Sequence, residues 1–282
     1  MSHSLIQPSE LAAHLGDAQW RIIDARFELS KPMQGRVDYD AGHLPGALYA
    51  DLDADLSSPI TASSGRHPLP TPEAFAETLS RWGIAEEVQV VVYDQGSGLF
   101  ASRLWWLLRA RGHRRVAVLD GGLAAWTRLG LPVTAAPSNA PKRAEVAARP
   151  FAGWLGSADV QRALANGAIV LVDARAADRF AGRNETIDPI AGHVPGARNH
   201  PLSDNLEADG RFLPAAELRK RWQARLAGRG ANELVTMCGS GITACHSLLA
   251  LDVAGLDGGR LYAGSWSEWI RDPARPVARD EA

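Results

Sequence analysis

Short apolar runs alternate along the chain with longer segments in which apolar positions recur every three or four residues. Residues 21–25 (RIIDA), 88–94 (VQVVVYD) and 116–120 (VAVLD) are rich in β-branched side chains and are bounded by polar residues or glycine. Such runs are typical of buried parallel strands. Residues 71–83 (TPEAFAETLSRWG) combine a Thr-Pro-Glu start, helical apolar spacing and a final glycine, and they predict a capped helix. Strands that alternate with helices predict a doubly wound α/β domain.

The same succession of segments occurs twice. The stretch that ends in DGGLAAW returns later as the stretch that ends in AGSWSEW, and Gly98 and Gly241 stand at equivalent places 143 residues apart. A period of this length is too long for a solenoid, so the repeat predicts a duplicated domain. A Pro- and Ala-rich segment without apolar periodicity separates the copies. We therefore predict two α/β domains, 1–137 and 151–282, each a mainly parallel sheet flanked by helices, with a linker at 138–150.

Composition narrows the possible surroundings and partners. The 282 residues include 30 basic and 32 acidic side chains, a near balance that argues against a nucleic-acid partner. The start lacks a basic segment followed by an apolar core, and no apolar stretch approaches the length of a membrane span. The two cysteines, Cys238 and Cys245, are too few for a disulfide framework. We expect a soluble cytoplasmic protein with no membrane partner.

The sequence LVTMCGSGITACHSLLAL contains the strongest chemical signal. Cys238 follows a predicted strand, and the helix begins a few residues later, so the intervening loop lies where open α/β sheets bind ligands. Gly239 and Gly241 permit tight curvature, and converging backbone N–H groups at a helix start stabilise an anion. These features predict a partly exposed, nucleophilic thiolate at Cys238. Cys245, one turn into the helix, is expected to be core.

Other interpretations of this loop are weaker. GSGITA and GSGLFA both fit a dinucleotide-binding pattern, and Asp120 could bind a ribose, but Ala263 stands at the matching point of the second copy. A phosphatase loop would need an arginine near Ala244, and the loop has no basic residue. The flanking glycines and the helix start argue against a buried structural cysteine. A non-catalytic module that carries or senses sulfur stays as the alternative, and it would show no steady turnover of donor and cyanide. Sulfur transfer through a persulfide fits the small residues and the donors, and it implies no cofactor and no metal.

The motifs CGSGITACH, AGHLPGA, AGHVPGA, IIDAR, LVDAR and GSWSEW resemble those of two-domain sulfurtransferases of the rhodanese superfamily, over nearly the whole chain. The resemblance implies two similar rhodanese-like α/β domains, of which only the second carries the active cysteine. Asp94 and Gln95 occupy the corresponding loop of the first copy. It also implies that Cys238 takes sulfur from a small-molecule donor and passes it to cyanide, a small thiol or a thioredoxin-like protein. The loop residues Gly239, Gly241, Ile242 and Thr243 are expected to stabilise the anion.

The resemblance implies 3-mercaptopyruvate as the expected donor, with thiosulfate as the alternative. The neutral CGSG[VI]T loop resembles that of the mercaptopyruvate enzymes, and Ser240 of this loop could donate a hydrogen bond to the developing enolate. Thiosulfate is a dianion, so its binding benefits from cations in the loop. Mercaptopyruvate enzymes also use two arginines before the second GHxPG motif. Arg179 matches the first, Asp188 stands about where the second is expected, and Arg183 is the candidate replacement.

Mercaptopyruvate enzymes have also been described with a Ser–His–Asp arrangement. Here Ser240 and His43 are the candidates, with Asp38 or Asp40 as the third member, because a histidine can relay a proton near neutral pH. The alternative is that the GHxPG histidines of both halves anchor a turn. Arg66 and His67, in SGRHPLP, lie in a loop that could approach the site.

Overall fold

The computed structural model describes residues 4–280, which form two compact units. Unit 1 comprises the chain up to Ser58, Pro70–Ala152 and Ala208–Phe212, and unit 2 comprises Pro59–Leu69, Gly153–Glu207 and the chain from Leu213 onward. Each unit is therefore built from separate segments of the chain, whereas the predicted domains, 1–137 and 151–282, were each continuous. The outermost residues of the predicted domains, 1–3 and 281–282, lie outside the described range.

Unit 1 is a parallel five-stranded sheet with the strand order β1-β5-β4-β2-β3. Its strands are β1 (Leu5–Ile6), β2 (Trp20–Asp24), β3 (Leu48–Tyr49), β4 (Gln89–Tyr93) and β5 (Val116–Leu119). Its helices are α1 (Pro8–Ala12), α2 (Gln34–Ala41), α3 (Pro72–Arg81), α4 (Ala101–Ala110) and α5 (Gly122–Arg128). The predicted capped helix is confirmed as α3, since the Thr71 side chain accepts a hydrogen bond from the Ala74 N–H at 3.1 Å.

Unit 2 repeats this arrangement, with the strand order β6-β10-β9-β7-β8 and all pairs parallel. Its strands are β6 (Trp154–Leu155), β7 (Val170–Asp173), β8 (Arg198–Asn199), β9 (Leu234–Met237) and β10 (Arg260–Tyr262). Its α-helices are α6 (Ser157–Ala165), α7 (Ala177–Phe180), α8 (Ala215–Leu226), α9 (Thr243–Val253) and α10 (Ser265–Trp269), with 3₁₀ turns at Leu202–Asn205 and Ala231–Glu233. The predicted α/β fold and its duplication are confirmed by the identical strand orders.

The core of unit 2 holds the loop after β9 between rigid elements. All four residues of β9 are buried, and eight consecutive residues of α9 are buried, so this helix is apolar nearly all round. Trp266 and Trp269 expose 0% and 1% of their surface and pack with Tyr262 in the same cluster. Burial of one such side chain contributes about 1.5–3 kcal/mol. The loop therefore starts and ends on elements that have little freedom to move.

The segment predicted as a linker is ordered against unit 1. Its backbone makes a hydrogen bond from the Ala144 N–H to the Ser80 carbonyl at 3.1 Å, and the Ala147 carbonyl accepts from Arg111 at 2.9 Å. Among residues 4–280, no helix combines the length and the hydropathy that crossing a membrane requires.

Candidate active site

The loop after β9 is fixed at its start by the turn that begins α10. The Cys238 N–H donates to the Ser265 hydroxyl at 3.1 Å, and the Trp266 N–H donates to the Cys238 carbonyl at 3.0 Å. The Ser267 N–H donates to the Gly239 carbonyl at 2.9 Å. These bonds hold the cysteine at the carboxyl end of β9, as expected for a site in an open α/β sheet.

The sulfur of Cys238 accepts a hydrogen bond from the Gly241 N–H at 3.2 Å. Gly241 has φ +82°, a left-handed conformation that favours glycine, and a Cβ there would lie 2.3 Å from the Ala263 carbonyl oxygen. The Cys245 thiol donates to the Gly241 carbonyl at 3.2 Å, so the backbone is held from both sides. Cys238 exposes only 2% of its surface, so the predicted partial exposure is wrong: the side chain is buried, with the Gly241 amide at its sulfur.

Two further loop residues lie at the start of α9. Ile242 precedes the helix and is buried, and Thr243 is its first residue. The N-terminus of this 11-residue helix therefore lies immediately after the loop. Its positive end adds to the favourable field for a negative charge on the sulfur.

Ser240 is paired with His67. The serine Oγ lies 2.8 Å from the histidine Nδ1, and the two residues expose only 7% and 5% of their surfaces. His67 belongs to the segment 59–69, which lies in unit 2, and the neighbouring Arg66 N–H donates to the Ser267 hydroxyl at 3.0 Å. The predicted pairing of Ser240 with His43 is therefore corrected: the histidine on Ser240 is His67.

His43 lies in unit 1 and has contacts of its own there. Its backbone forms a bridge with Thr134, its Nδ1 lies 2.7 Å from the Tyr39 carbonyl, and its ring stacks on Tyr39 at 4.0 Å. In unit 2, His193 has the same contacts: its Nδ1 lies 2.8 Å from the Phe180 carbonyl, and its ring stacks on Phe180 at 3.9 Å. Because both copies share this arrangement and only one has the cysteine, it favours a turn-anchoring role.

The carboxylates proposed as partners of His43 have other contacts. Asp38 accepts a hydrogen bond from Gln34 at 2.8 Å, and Asp40 pairs with Arg36 at 3.0 Å. Both are interactions within helix α2. They support the same structural interpretation of this segment.

Two guanidinium groups flank the loop at Gly239. A Cβ built on this glycine would lie 2.8 Å from Arg66 Nη2 and 3.7 Å from Arg179 Nη2. Both arginines also bond Asp188: Arg66 Nη1 reaches Oδ1, and Arg179 Nη2 reaches Oδ2 at 3.1 Å. Arg183 is exposed, with its backbone N–H bonded to a carbonyl of the same segment. The second guanidinium beside the loop is therefore that of Arg66, not that of Arg183.

Arg66 and Arg179 belong to a chain of alternating charges, and Arg66 stands at its end. Arg175 pairs with Glu185 at 3.4 Å, and Glu185 pairs with Arg179 at 2.8 Å. In order, the chain is Asp173, Arg175, Glu185, Arg179, Asp188 and Arg66. Burial raises the pKa of Asp188 above its ordinary value, although the guanidinium of Arg66 opposes the shift. Burial acts in the same direction on Glu185, but hydrogen bonds from Arg179 and the backbone outweigh it and lower the pKa. With three cations and three carboxylates, the cluster is neutral.

Unit 1 contains a second version of the loop with a carboxylate in place of the thiol. The Leu123 N–H donates to the Asp94 carbonyl at 2.9 Å, as the Trp266 N–H does to Cys238, so Asp94 stands where Cys238 stands. Four loop N–H groups donate to the Asp94 carboxylate at 2.9–3.3 Å, from Gly96, Gly98, Phe100 and Ala101. Burial raises the pKa of Asp94, and the four amides oppose this shift. The four amides therefore favour the ionised carboxylate, against the effect of burial.

The segments that reach these two loops are also related. Gly65-Arg66-His67 in unit 2 corresponds to Gly210-Arg211-Phe212 in unit 1, where the Phe212 ring lies 3.3 Å from the position of a Cβ on Gly98. The histidine thus accompanies the cysteine, and a phenylalanine accompanies Asp94. The repeat GRHPLP and GRFLP is the signal in the sequence that could have identified His67 as a functional candidate.

Comparison with known proteins agrees with this geometry. The model of the rhodanese-like domain matches residues 7–129 and 157–272. A protein of Pseudomonas aeruginosa named as a probable 3-mercaptopyruvate sulfurtransferase is 49% identical over 280 residues, which cover 98% of each chain. The thiosulfate sulfurtransferase of Mus musculus is 34% identical over 259 residues, which cover 89% of this chain and 85% of the mouse protein.

A solved structure is similar over the same length. The 3-mercaptopyruvate sulfurtransferase from Leishmania major superposes with a TM-score of 0.86 at 33% identity, covering 96% of this chain and 76% of that one. The predicted resemblance is thus confirmed by both sequence and structure. The chain belongs to the rhodanese family and is a two-domain sulfurtransferase.

Proposed function

We propose that the protein transfers sulfur from 3-mercaptopyruvate to a thiol or to cyanide through a persulfide on Cys238. The observation that carries this proposal is the contact of the Cys238 sulfur with the Gly241 N–H beside the Ser240–His67 pair. Attack of a thiolate on the sulfur of 3-mercaptopyruvate requires three groups: a nucleophile, an amide that stabilises the anion, and a hydroxyl paired with an imidazole. The names of the relatives support the same reaction.

In the first step the Cys238 thiolate attacks the donor sulfur and forms an S–S bond. The carbon–sulfur bond breaks, and its electron pair passes to the pyruvate fragment, which leaves as an enolate. The Ser240 hydroxyl donates to the donor oxygen that becomes negative, and His67 orients that hydroxyl at 2.8 Å. In the second step an acceptor thiolate or cyanide attacks the outer sulfur, and Cys238 leaves as the thiolate.

The donor carboxylate is held by Arg66 and Arg179, the two guanidinium groups beside Gly239. A planar guanidinium binds a carboxylate with two parallel hydrogen bonds, so a pair of them fixes its orientation. The neutral charge of the cluster favours a monoanion, because the cluster offers no net Coulomb attraction to offset desolvation, and the cost of taking an ion out of water rises steeply with its charge. This is the physical basis for placing 3-mercaptopyruvate ahead of thiosulfate.

Thiosulfate is the second candidate donor. The loop itself has no basic residue, yet two guanidinium groups lie at Gly239, and cations at this point would also attract a dianion. The chemistry at Cys238 is the same for both donors, since in each case the thiolate attacks a sulfur and an anion departs. Only the relative efficiencies separate the two assignments.

We also propose a reducing, cytoplasmic setting and an acceptor that is a small thiol or a thioredoxin-like protein. Neither cysteine forms a disulfide within residues 4–280 and both are buried, which suits a compartment that keeps thiols reduced. A persulfide held at a buried sulfur requires an acceptor whose thiolate is small or projects from its own surface.

Steady-state kinetics tests the proposal. Thiocyanate formation from cyanide should give a higher kcat/KM with 3-mercaptopyruvate than with thiosulfate. Cys238→Ser should abolish turnover and the persulfide, which mass spectrometry detects as one added sulfur on residue 238 after donor treatment. Cys245→Ser is the matched control, because it changes the neighbouring buried cysteine and keeps a donor for the Gly241 carbonyl. Single-turnover labelling without steady turnover would indicate a sulfur-carrying module instead of an enzyme.

A further inference from the structure

The residue between the two arginines of the site is an acid. Asp188 bonds Arg66 with one carboxylate oxygen and Arg179 with the other, and its side chain is only 1% exposed. The neighbouring acid in the chain of alternating charges, Glu185, already accepts hydrogen bonds from Arg179 and pairs with Arg175. Asp188 is therefore the carboxylate that offsets the charge contributed by Arg66.

Arg66 has hydrogen-bonding capacity left over for a ligand. Its Nη1 bonds Asp188, while its Nη2 lies beside Gly239, next to the cysteine. Its Nε is buried and has no hydrogen-bond partner among residues 4–280. Asp188 thus binds one edge of this guanidinium, and the edge that faces the loop is left to bind the carboxylate of the sulfur donor.

We propose that Asp188 is a specificity-determining positioning residue: it fixes Arg66 and Arg179 beside Gly239 and keeps the site neutral, so that a monoanionic donor is preferred over a dianionic one. This inference rests on the proposed function. Without the acid, the cluster would carry a net charge of about +1. An added positive charge acts on a dianion with twice the Coulomb energy that it exerts on a monoanion. The preference should therefore move toward thiosulfate.

The experiment measures kcat/KM for 3-mercaptopyruvate and for thiosulfate, with cyanide as acceptor, in the wild type and in Asp188→Asn and Asp188→Ala. We expect the ratio of thiosulfate to 3-mercaptopyruvate efficiency to rise at least tenfold in both neutral variants, since at an effective dielectric constant of about 20 one unit charge contributes more than about 1.4 kcal/mol at any separation below about 12 Å. Asp188→Glu keeps the charge and should keep the wild-type ratio, even if both efficiencies fall. Two neutral variants are used so that a folding defect in one does not decide the outcome.

Asp159→Asn is the matched control, since it also removes one negative charge but lies on α6 with an exposed side chain paired to Arg162. Its ratio should equal that of the wild type. An unchanged or lower ratio in the neutral variants, or the same rise in Asp188→Glu, would overturn the inference. If the wild type processes neither donor, the proposed function itself fails. If it processes them and the ratio does not respond, only the role of Asp188 fails.

Discussion

Replacing Gly241 by alanine should damage the reaction more than any other one-methyl change in the loop. The residue has φ +82°, and the new Cβ would lie 2.3 Å from the carbonyl oxygen of Ala263. That oxygen belongs to the backbone following β10, so it cannot turn away as a flexible side chain could. The same residue supplies the N–H that contacts the Cys238 sulfur at 3.2 Å. The clash therefore acts directly on the proposed anion-stabilising group.

The expected size follows from these values. A non-glycine residue in the left-handed region costs about 1–2 kcal/mol. Overpacking adds about 1–3 kcal/mol, which gives a total loss of about 2–5 kcal/mol in the free energy of unfolding. Relief of the overlap with Ala263 requires a movement of about 1 Å, and a misplacement of that size costs about 100-fold in rate. We expect kcat for Gly241→Ala to fall by this factor.

The assay is thiocyanate formation at saturating donor, together with urea unfolding of the same samples. Gly239→Ala is the comparison within the loop, because its Cβ would meet only side-chain ends, those of Arg66 at 2.8 Å and Arg179 at 3.7 Å, so KM should rise while kcat is nearly kept. Gly98→Ala is the comparison in unit 1, where φ is +75°, and it should lower stability without lowering kcat. If Gly241→Ala loses stability as calculated but keeps the wild-type kcat, the amide of residue 241 does not stabilise the reacting sulfur.

Two further predictions concern the serine and two buried histidines. Ser240→Ala should lower kcat about 100-fold with 3-mercaptopyruvate and much less with thiosulfate, which has no carbonyl to polarise; equal losses would contradict the assigned role. Burial lowers the pKa of His113 and of His200 below the ordinary 6.5. Below that pH the unfolded chain binds protons that the folded protein does not, so stability should fall as the pH drops, by up to about 1.4 kcal/mol per pH unit for each histidine. Urea unfolding between pH 7.5 and 5.5 measures this, and a flat profile would show that the histidines titrate normally.

The sequence predicts those parts of the molecule that depend on local patterns. The apolar run before Cys238 and the glycines after it correctly predict a strand, a loop and a helix, because strand burial and backbone curvature depend on consecutive residues. The histidine on Ser240 is not predictable in this way. It comes from a segment 173 residues away that has no apolar periodicity of its own.

The pairing of Arg66 with Asp188 is hidden for the same reason. The two residues are 122 positions apart, and the family pattern leads to a search for an arginine at 188, not for an acid that recruits one from elsewhere. The repeat contains the missing information, since GRFLP at residues 210–214 aligns with GRHPLP at residues 65–70. A residue-by-residue comparison of the two segments shows that His67 stands where the other copy has Phe212, and this difference identifies His67 as a functional candidate.

The two loops of this chain separate the work of the backbone from that of the side chain. In unit 1 four amides converge on the carboxyl group of Asp94, which has no sulfur chemistry. In unit 2 a loop fixed by the same backbone hydrogen bond turns an amide toward the sulfur of Cys238. Donation by loop amides to the side chain at this position is therefore a property of the shared backbone, because it persists where the thiol is absent. A nucleophile at this position and a histidine in place of Phe212 are the changes that turn such a loop into the proposed site of sulfur transfer.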